Sequence, residues 1–295
     1  MIDLHIHTTY SDGADTLTEV LKKAEDLKLE YISITDHDTC EAYEELEKID
    51  YKKYFSGTII PGVEIKCSYG NRLIEILGYN IDTKIVNDYM REYHKTHSKE
   101  ILQQKYFDIL YDRCLEMGLI LSNKKDIEFN PAHDWASVTI YKEIKSHKVN
   151  KEKLPEDLWQ DFTTFSKKYC GNTDFKLFID KSKDYLTVQE AVEIVKKAGG
   201  LVFLPHVFIY KWAEDKNKLL DDLVEKYDID GIECMHSEFS EEQIQYLLQY
   251  TKNNNFFRSG GSDYHGVNKA GIEMATGKGN LEIPSEFINN WYNKN

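Results

Sequence analysis

Two histidines one residue apart, His5 and His7, stand in the opening run Asp-Leu-His-Ile-His. Alternate residues of an extended strand point the same way, so both imidazoles can reach one metal ion. Groups of the same chemical type recur along the chain. Asp12 lies in Ser-Asp-Gly, His37 in Thr-Asp-His-Asp, Glu64 in Pro-Gly-Val-Glu and Glu75 in Leu-Ile-Glu-Ile-Leu. His206 follows Leu-Pro, while Asp263 and His265 share Gly-Gly-Ser-Asp-Tyr-His-Gly. Imidazole and carboxylate ligands without thiolates suit Zn, Mn or Fe in a reactive centre rather than a structural zinc site. Nine candidate ligands exceed what one ion can use, so two to three divalent ions are expected. A lone histidine at a strand end is usually a capping or core residue. Five of the ten histidines fall at expected strand ends beside a carboxylate, Gly or Thr, and packing alone does not account for that. Asp36 and Asp38 also fit as helix caps, the preferred role for Asp38. Glu233, in Gly-Ile-Glu, is open between ligand and supporting residue.

The elements that must position these groups follow a strand–helix rhythm. Strands are expected at 2–4, 31–34, 58–63 and 72–77, and again at 201–205, 229–235 and 256–261. Thr16-x-x-Glu19, Thr187-x-x-Glu190 and Ser240-x-x-Gln243 read as capping boxes opening amphipathic helices. A Glu-rich helix is expected around 40–48. This βαβ rhythm implies a parallel sheet. It stops near residue 85 and resumes near 185, with a mostly helical stretch between. The expected fold is therefore α/β, one barrel of about seven strands formed by residues 1–84 and 185–295, interrupted by a helical insertion over 85–184. In a barrel the C-terminal strand ends converge on one mouth, so ligands distant in sequence would meet there.

Composition narrows the function. The chain has 295 residues and a net charge of −14, which argues against a long nucleic-acid groove. Residues 85–184 carry as many basic as acidic side chains, so the whole excess falls on the remainder. An acidic region that handles an anionic substrate needs compensating cations, and metals would supply them. No apolar run approaches the ~20 residues that span a bilayer, and no secretory pattern opens the chain. The five cysteines are scattered and lack CxxC spacing, as suits reduced thiols in the cytoplasm.

The stretches HIHTTYSDG, TDHDT, GVE, ILGY, PH and GGSDYHG resemble the motifs of the PHP (polymerase and histidinol phosphatase) family. The resemblance is nearest to the subgroup that includes nucleotide phosphatases and a 5′→3′ exoribonuclease, and it covers about 1–80 and 185–280. It implies a distorted seven-stranded barrel, a trinuclear metal site and phosphoester hydrolysis. By position, His5, His7, Glu64 and Asp263 would hold the first metal. Glu64 would bridge to a second, completed by Glu75 and His206, and Asp12, His37 and His265 would hold the third. Glu75 stands where the subgroup usually has His. The insertion, expected to cap the mouth, lacks the subgroup's arginine over 134–144. Lys269 and Arg258 are then the candidate cations for a substrate phosphate.

The expected reaction is attack by a metal-bound hydroxide on a small phosphomonoester, such as a nucleotide or a short oligonucleotide end. His206 or His236 would protonate the leaving oxygen. Tyr210 and Trp212 would either stack a base or pack beneath a loop. Two other readings are a histidinol-phosphate-type phosphatase, disfavoured by the long insertion, and a non-catalytic, metal-binding regulatory module. Retention of every ligand position favours the enzyme.

Overall fold

The computed structural model describes residues 1–292. Its elements run β1 (Ile2–Ile6), α1 (Leu17–Asp26), β2 (Tyr31–Ile34), α2 (Glu41–Leu46), β3 (Thr58–Ile59), β4 (Gly62–Tyr69), β5 (Arg72–Tyr79) and α3 (Thr83–His97). Three further helices follow, α4 (Lys99–Glu116), α5 (Ala136–Ser146) and the single turn α6 (Phe162–Thr164). The chain then returns to alternation with β6 (Leu186–Thr187), α7 (Val188–Lys197), β7 (Leu201–Leu204), α8 (Lys216–Lys226), β8 (Gly231–His236), α9 (Glu241–Asn254) and β9 (Phe257–Gly261). It divides into two compact units, residues 1–91 with 186–295 and residues 92–185. The second unit has its own core, built on Tyr106, Phe107, Leu110, Ile140, Ile144 and Phe165. Among the described residues, no helix is long and apolar enough to cross a membrane.

The three capping boxes form as the sequence implies. Thr16, Thr187 and Ser240 accept from the backbone three residues on, and Glu19, Glu190 and Gln243 return the bond. Each reciprocal pair satisfies two of the N–H groups that a helix start leaves open. Leu17, Val20, Leu21 and Ala24 on α1, and Val188, Ala191, Ile194 and Val195 on α7, form the buried stripes. A core cluster of Ile2, Leu4, Leu77, Tyr79, Phe203 and Trp291 lies beneath the strands.

The sheet arrangement differs from expectation in two respects. The strands form a three-stranded sheet, β1-β2-β3, and a six-stranded one, β6-β4-β5-β7-β8-β9, and a continuous closed ring is not seen among the described residues. The larger sheet is also mixed, because β5 is antiparallel to both β4 and β7. A parallel crossover needs a dozen or more residues, and only Gly70 and Asn71 separate β4 from β5. Gly70 takes φ +59 in that tight turn, the backbone that a two-residue hairpin demands. The Gly-Asn pair between two apolar runs was the available signal.

The two sheets meet at isolated bridges, Ile6–Tyr264 and His37–Glu64. All four residues are candidate ligands or their immediate neighbours. Backbone pairing is thus least regular where the chemistry is concentrated. Gly261 permits the approach of β9 to β1, since a Cβ there would lie 2.2 Å from the Cβ of His5.

Candidate metal centre

His5 lies within β1 and His7 one residue past its end, and both side chains are fully buried. His37 follows β2. Glu64 is the third residue of β4, not the end of a strand, because the chain breaks at Ile60 and Pro61 and re-enters as a new strand. Glu75 lies in the middle of β5. His206 follows β7 with φ +27, and Asp263 follows β9 with φ +57. Non-glycine residues at positive φ are strained, and such strain concentrates at functional sites.

Glu64 is the hub. One of its oxygens, Oε2, lies 3.2 Å from His5 Nε2, from His7 Nε2 and from His37 Nδ1. Its Oε1 lies 2.9 Å from His206 Nε2. Asp263 Oδ1 is 3.5 Å from His7 Nε2 and 3.8 Å from His5 Nε2. Asp12 Oδ1 is 3.1 Å from His265 Nε2, and Asp12 Oδ2 is 3.7 Å from His37 Nε2. The donor atoms group into three sets that an ion could join: His7, Asp12, His37 and His265; His5, His7 and Glu64; and His37, Glu64 and Glu75. Glu75 Oε2 also lies 3.7 Å from His206 Nε2. All nine expected ligands therefore come together.

The donor set suits divalent ions. The nitrogens of His5, His7 and His37 that face Glu64 are buried and make no hydrogen bond. Ligand bonds of about 2.0–2.2 Å around one ion place neighbouring donors roughly 3.0–3.5 Å apart, which is the spacing found. Without an ion or a proton, three lone pairs would face one carboxylate oxygen. The histidines are also oriented by supporting contacts. His5 Nδ1 donates to Glu233 at 2.9 Å, and His265 Nδ1 donates to the carbonyl of Asp263 at 3.0 Å. Each bond leaves Nε2 to face the cluster, the arrangement that metal-binding histidines need.

Glu233 is a support, not a ligand, since its second oxygen accepts from the backbone N–H of His206 at 2.7 Å. Two anchors escaped the sequence reading. Asp3 is fully buried and accepts from Ser262 and Ala275, which ties down the loop bearing Asp263 and His265. It lies in alternation with His5 and His7, and that spacing was the available signal. Asp36 accepts from Thr8 and Ser11 and holds the loop of Asp12, so it is not a helix cap. Asp38 is not one either. It accepts from the N–H of Lys66 on β4, and α2 begins without a side-chain cap.

Three other expectations need correction. Arg258, at the start of β9, donates to the Leu248 carbonyl and the Thr251 hydroxyl in the C-terminal part of α9, and so is held by that helix rather than facing a substrate. His236 is fully buried; its Nδ1 accepts from the N–H of Glu238 and its Nε2 donates to Asp263 Oδ2 at 3.2 Å. With both nitrogens engaged it positions Asp263 and has no proton facing the cleft. His206 is 2 % exposed and turned onto Glu64, which suits a ligand better than a proton donor. Tyr210 is buried with its hydroxyl accepting from the N–H of Glu75, and Trp212 packs beside it, so this pair supports the loop. Lys269, in contrast, lines the cleft with His265 and Asn268 and pairs with Asp263 Oδ2.

The electrostatics sort the ligands by proton cost. Burial disfavours charge on Glu64, but His5 and His37 outweigh it and hold its carboxyl well below the usual range. Asp263 is likewise held low against burial, chiefly by His5. Burial also opposes charge on His5, yet Glu64, Glu233 and Asp263 keep its pKa well above the ordinary value. His206 and His265 are raised against burial by Glu64 and Asp12, respectively. Burial, helped by the neighbouring His7 and Lys66 and opposed by Glu64, pushes His37 down to about 3. An ion must therefore displace protons from His5, His206 and His265 but not from His37. Ion and proton compete, so affinity rises as pH rises through the imidazole range. Mn²⁺ should bind the metal-free protein about tenfold tighter or more at pH 8 than at pH 6. A flat profile would mean that these imidazoles are not ligands.

The chain is 26% identical over 270 residues to phosphoribosyl 1,2-cyclic phosphate 1,2-diphosphodiesterase of Eggerthella lenta, covering 90% of this chain and 94% of that one. It is 27% identical over 269 residues to a 5′-3′ exoribonuclease of Haemophilus influenzae, covering 89% of each. Among solved structures, a protein from Bifidobacterium adolescentis assigned as a metal-dependent phosphoesterase shares the fold with a TM-score of 0.64 at 19% identity, covering 98% of this chain and 94% of that one. The PHP domain profile matches residues 3–257, which takes in seven of the nine clustered candidate ligands, and the chain belongs to the PHP domain family.

Proposed function

We propose that the protein is a metal-dependent phosphoesterase acting on a small phosphomonoester, such as a nucleotide or the end of a short oligonucleotide. The observation that carries this reading is the Glu64 carboxylate oxygen facing three unpartnered imidazole nitrogens at 3.2 Å, at the floor of an open cleft. The ion sets described above would accommodate up to three ions, with Zn, Mn or Fe as the fitting metals. When bound, such ions activate water and neutralise phosphoryl oxygens. The names of the curated relatives, one acting on a cyclic phosphate and one on RNA ends, support a phosphorylated substrate.

The chain's own residues would do the rest. Asp263 presents Oδ1 to the cluster while His236 and Lys269 hold Oδ2, so one carboxylate links ion binding to the cleft wall. Lys269 is about a third exposed and has donors to offer a phosphoryl oxygen as the phosphate enters. Asn268 donates to the carbonyl of Asp12 and holds that loop against the same wall. The excess of carboxylates keeps an anion from binding productively until ions are present. The free cysteines suit a reducing compartment, and we place the reaction in the cytoplasm.

A screen of the Mn-loaded protein against nucleoside mono- and bisphosphates, cyclic phosphates, sugar phosphates and short RNA tests this. Turnover of at least one phosphoester is expected. Lys269→Met should then lower kcat/KM on that substrate by about 10–100-fold, the worth of one charge-assisted hydrogen bond, mainly through KM. No turnover of any phosphoester, with less than one ion bound per chain, would sink the proposal.

A further inference from the structure

Lys66 and Glu75 lie directly opposite one another in the antiparallel β4–β5 pair. Lys66 also follows Glu64 by two residues, so it shares a face of β4 with the hub of the cluster. Directly opposed side chains of a strand pair project together. The three groups therefore emerge side by side. Glu64 is buried, Glu75 lines the cleft, and the Lys66 side chain is 32% exposed beside it.

The Glu75 carboxylate is divided between two partners. Its Oε1 lies 3.7 Å from Lys66 Nζ, and its Oε2 lies 3.7 Å from His206 Nε2. Its donor atom also falls within 4.8 Å of those of His37 and Glu64. An ion joining that set would find one of its carboxylates already facing an ammonium. The Glu64 and Glu75 carboxylates approach one another in that set, so a cation between them is favoured. Two cations then contend for Glu75, one tethered and one free. The backbone of Lys66 is pinned by the bond from its N–H to Asp38. A partly exposed, loosely spaced ion pair adds little to folding stability. The larger consequence of the lysine is for whatever cation enters.

We propose that Lys66 tunes the metal set containing Glu75, competing with a divalent ion for its carboxylate and making that ion the most weakly held of those the site binds. This rests on the metal-site reading above. It makes Glu75 and Lys66 one device: the carboxylate adds a negative charge and the lysine offsets it. The ion there would exchange while those at the buried His5, His7 and Glu64 set stay in place.

The test is Mn²⁺ binding to the metal-free full-length protein by equilibrium dialysis, with Lys66→Met, Lys66→Gln, Glu75→Gln and the double variant Lys66→Met/Glu75→Gln. Lys66→Met and Lys66→Gln should each tighten the weakest class of sites by about tenfold and leave tighter classes unchanged. Glu75→Gln should remove the weakest class, and Lys66→Met should then have no further effect. Unchanged or weaker binding in both Lys66 variants would overturn the proposal. So would a Lys66 effect that persists without Glu75. The readout is bound metal, so ions bound as described without hydrolysis of any phosphoester would overturn the proposed function alone.

Discussion

Glu64→Gln should abolish metal binding at the central set and lower phosphoester turnover by on the order of 10³-fold or more, while circular dichroism stays close to that of the parent. Glu64 and Asp263 each face four histidines, and Glu64 does so at closer range. Its two oxygens face His5, His7, His37 and His206 at distances between 2.9 and 3.2 Å. Glutamine keeps the shape but removes the charge, and it turns an amide N–H toward nitrogens that an ion would otherwise join. The loss is then one of electrostatics, not packing. Metal content per chain and turnover at saturating Mn²⁺ should fall together. A variant that keeps a full complement of metal and wild-type turnover would show that Glu64 is only a packing partner of the histidines.

Glu233→Gln should weaken metal binding by roughly 10–100-fold, the cost usual for removing a partner that orients a metal-binding histidine. Glu233 is completely buried and receives two donors, the Nδ1–H of His5 at 2.9 Å and the backbone N–H of His206 at 2.7 Å. A glutamine side chain has one acceptor oxygen and one NH₂ group, so it can satisfy only one of them. If its oxygen stays on His206, its NH₂ forces His5 to accept at Nδ1. The proton then moves to Nε2, the nitrogen that faces Glu64. If the amide turns the other way, the His206 N–H loses its acceptor in a turn already held at φ +27. Either arrangement damages a ligand without removing one. Excess Mn²⁺ should therefore restore turnover in Glu233→Gln but not in Glu64→Gln. Titration of activity against free Mn²⁺ separates the two, and equal, irreparable loss in both would make Glu233 a ligand in its own right.

These two predictions use different kinds of information. His5 and His7 could be paired from their spacing alone, because side-chain alternation in a strand is a local property. The capping boxes of α1, α7 and α9 were equally local, each spanning four residues. Arg258 and His236 were not legible in this way. Their chain positions near strand ends suited a substrate contact and an acid, but a helix end captures the first and Asp263 the second. Both depend on what lies across the chain.

The amino-acid sequence by itself determined the candidate ligand types, most of the strands that carry them and the families of metal they suit, since these follow from side-chain chemistry and short-range periodicity. Only the tertiary structure decided that β4 and β5 form a hairpin, which opposes Lys66 to Glu75, and that Glu64 lies where two sheets meet. It also decided which buried carboxylates face the histidine cluster and which, like Glu233, Asp3 and Asp36, hold the candidate ligands still. The physical reason is that a carboxylate's role is set by the donors around it. Those donors come from residues up to 272 positions away, as between Ala275 and Asp3, so no local pattern contains them.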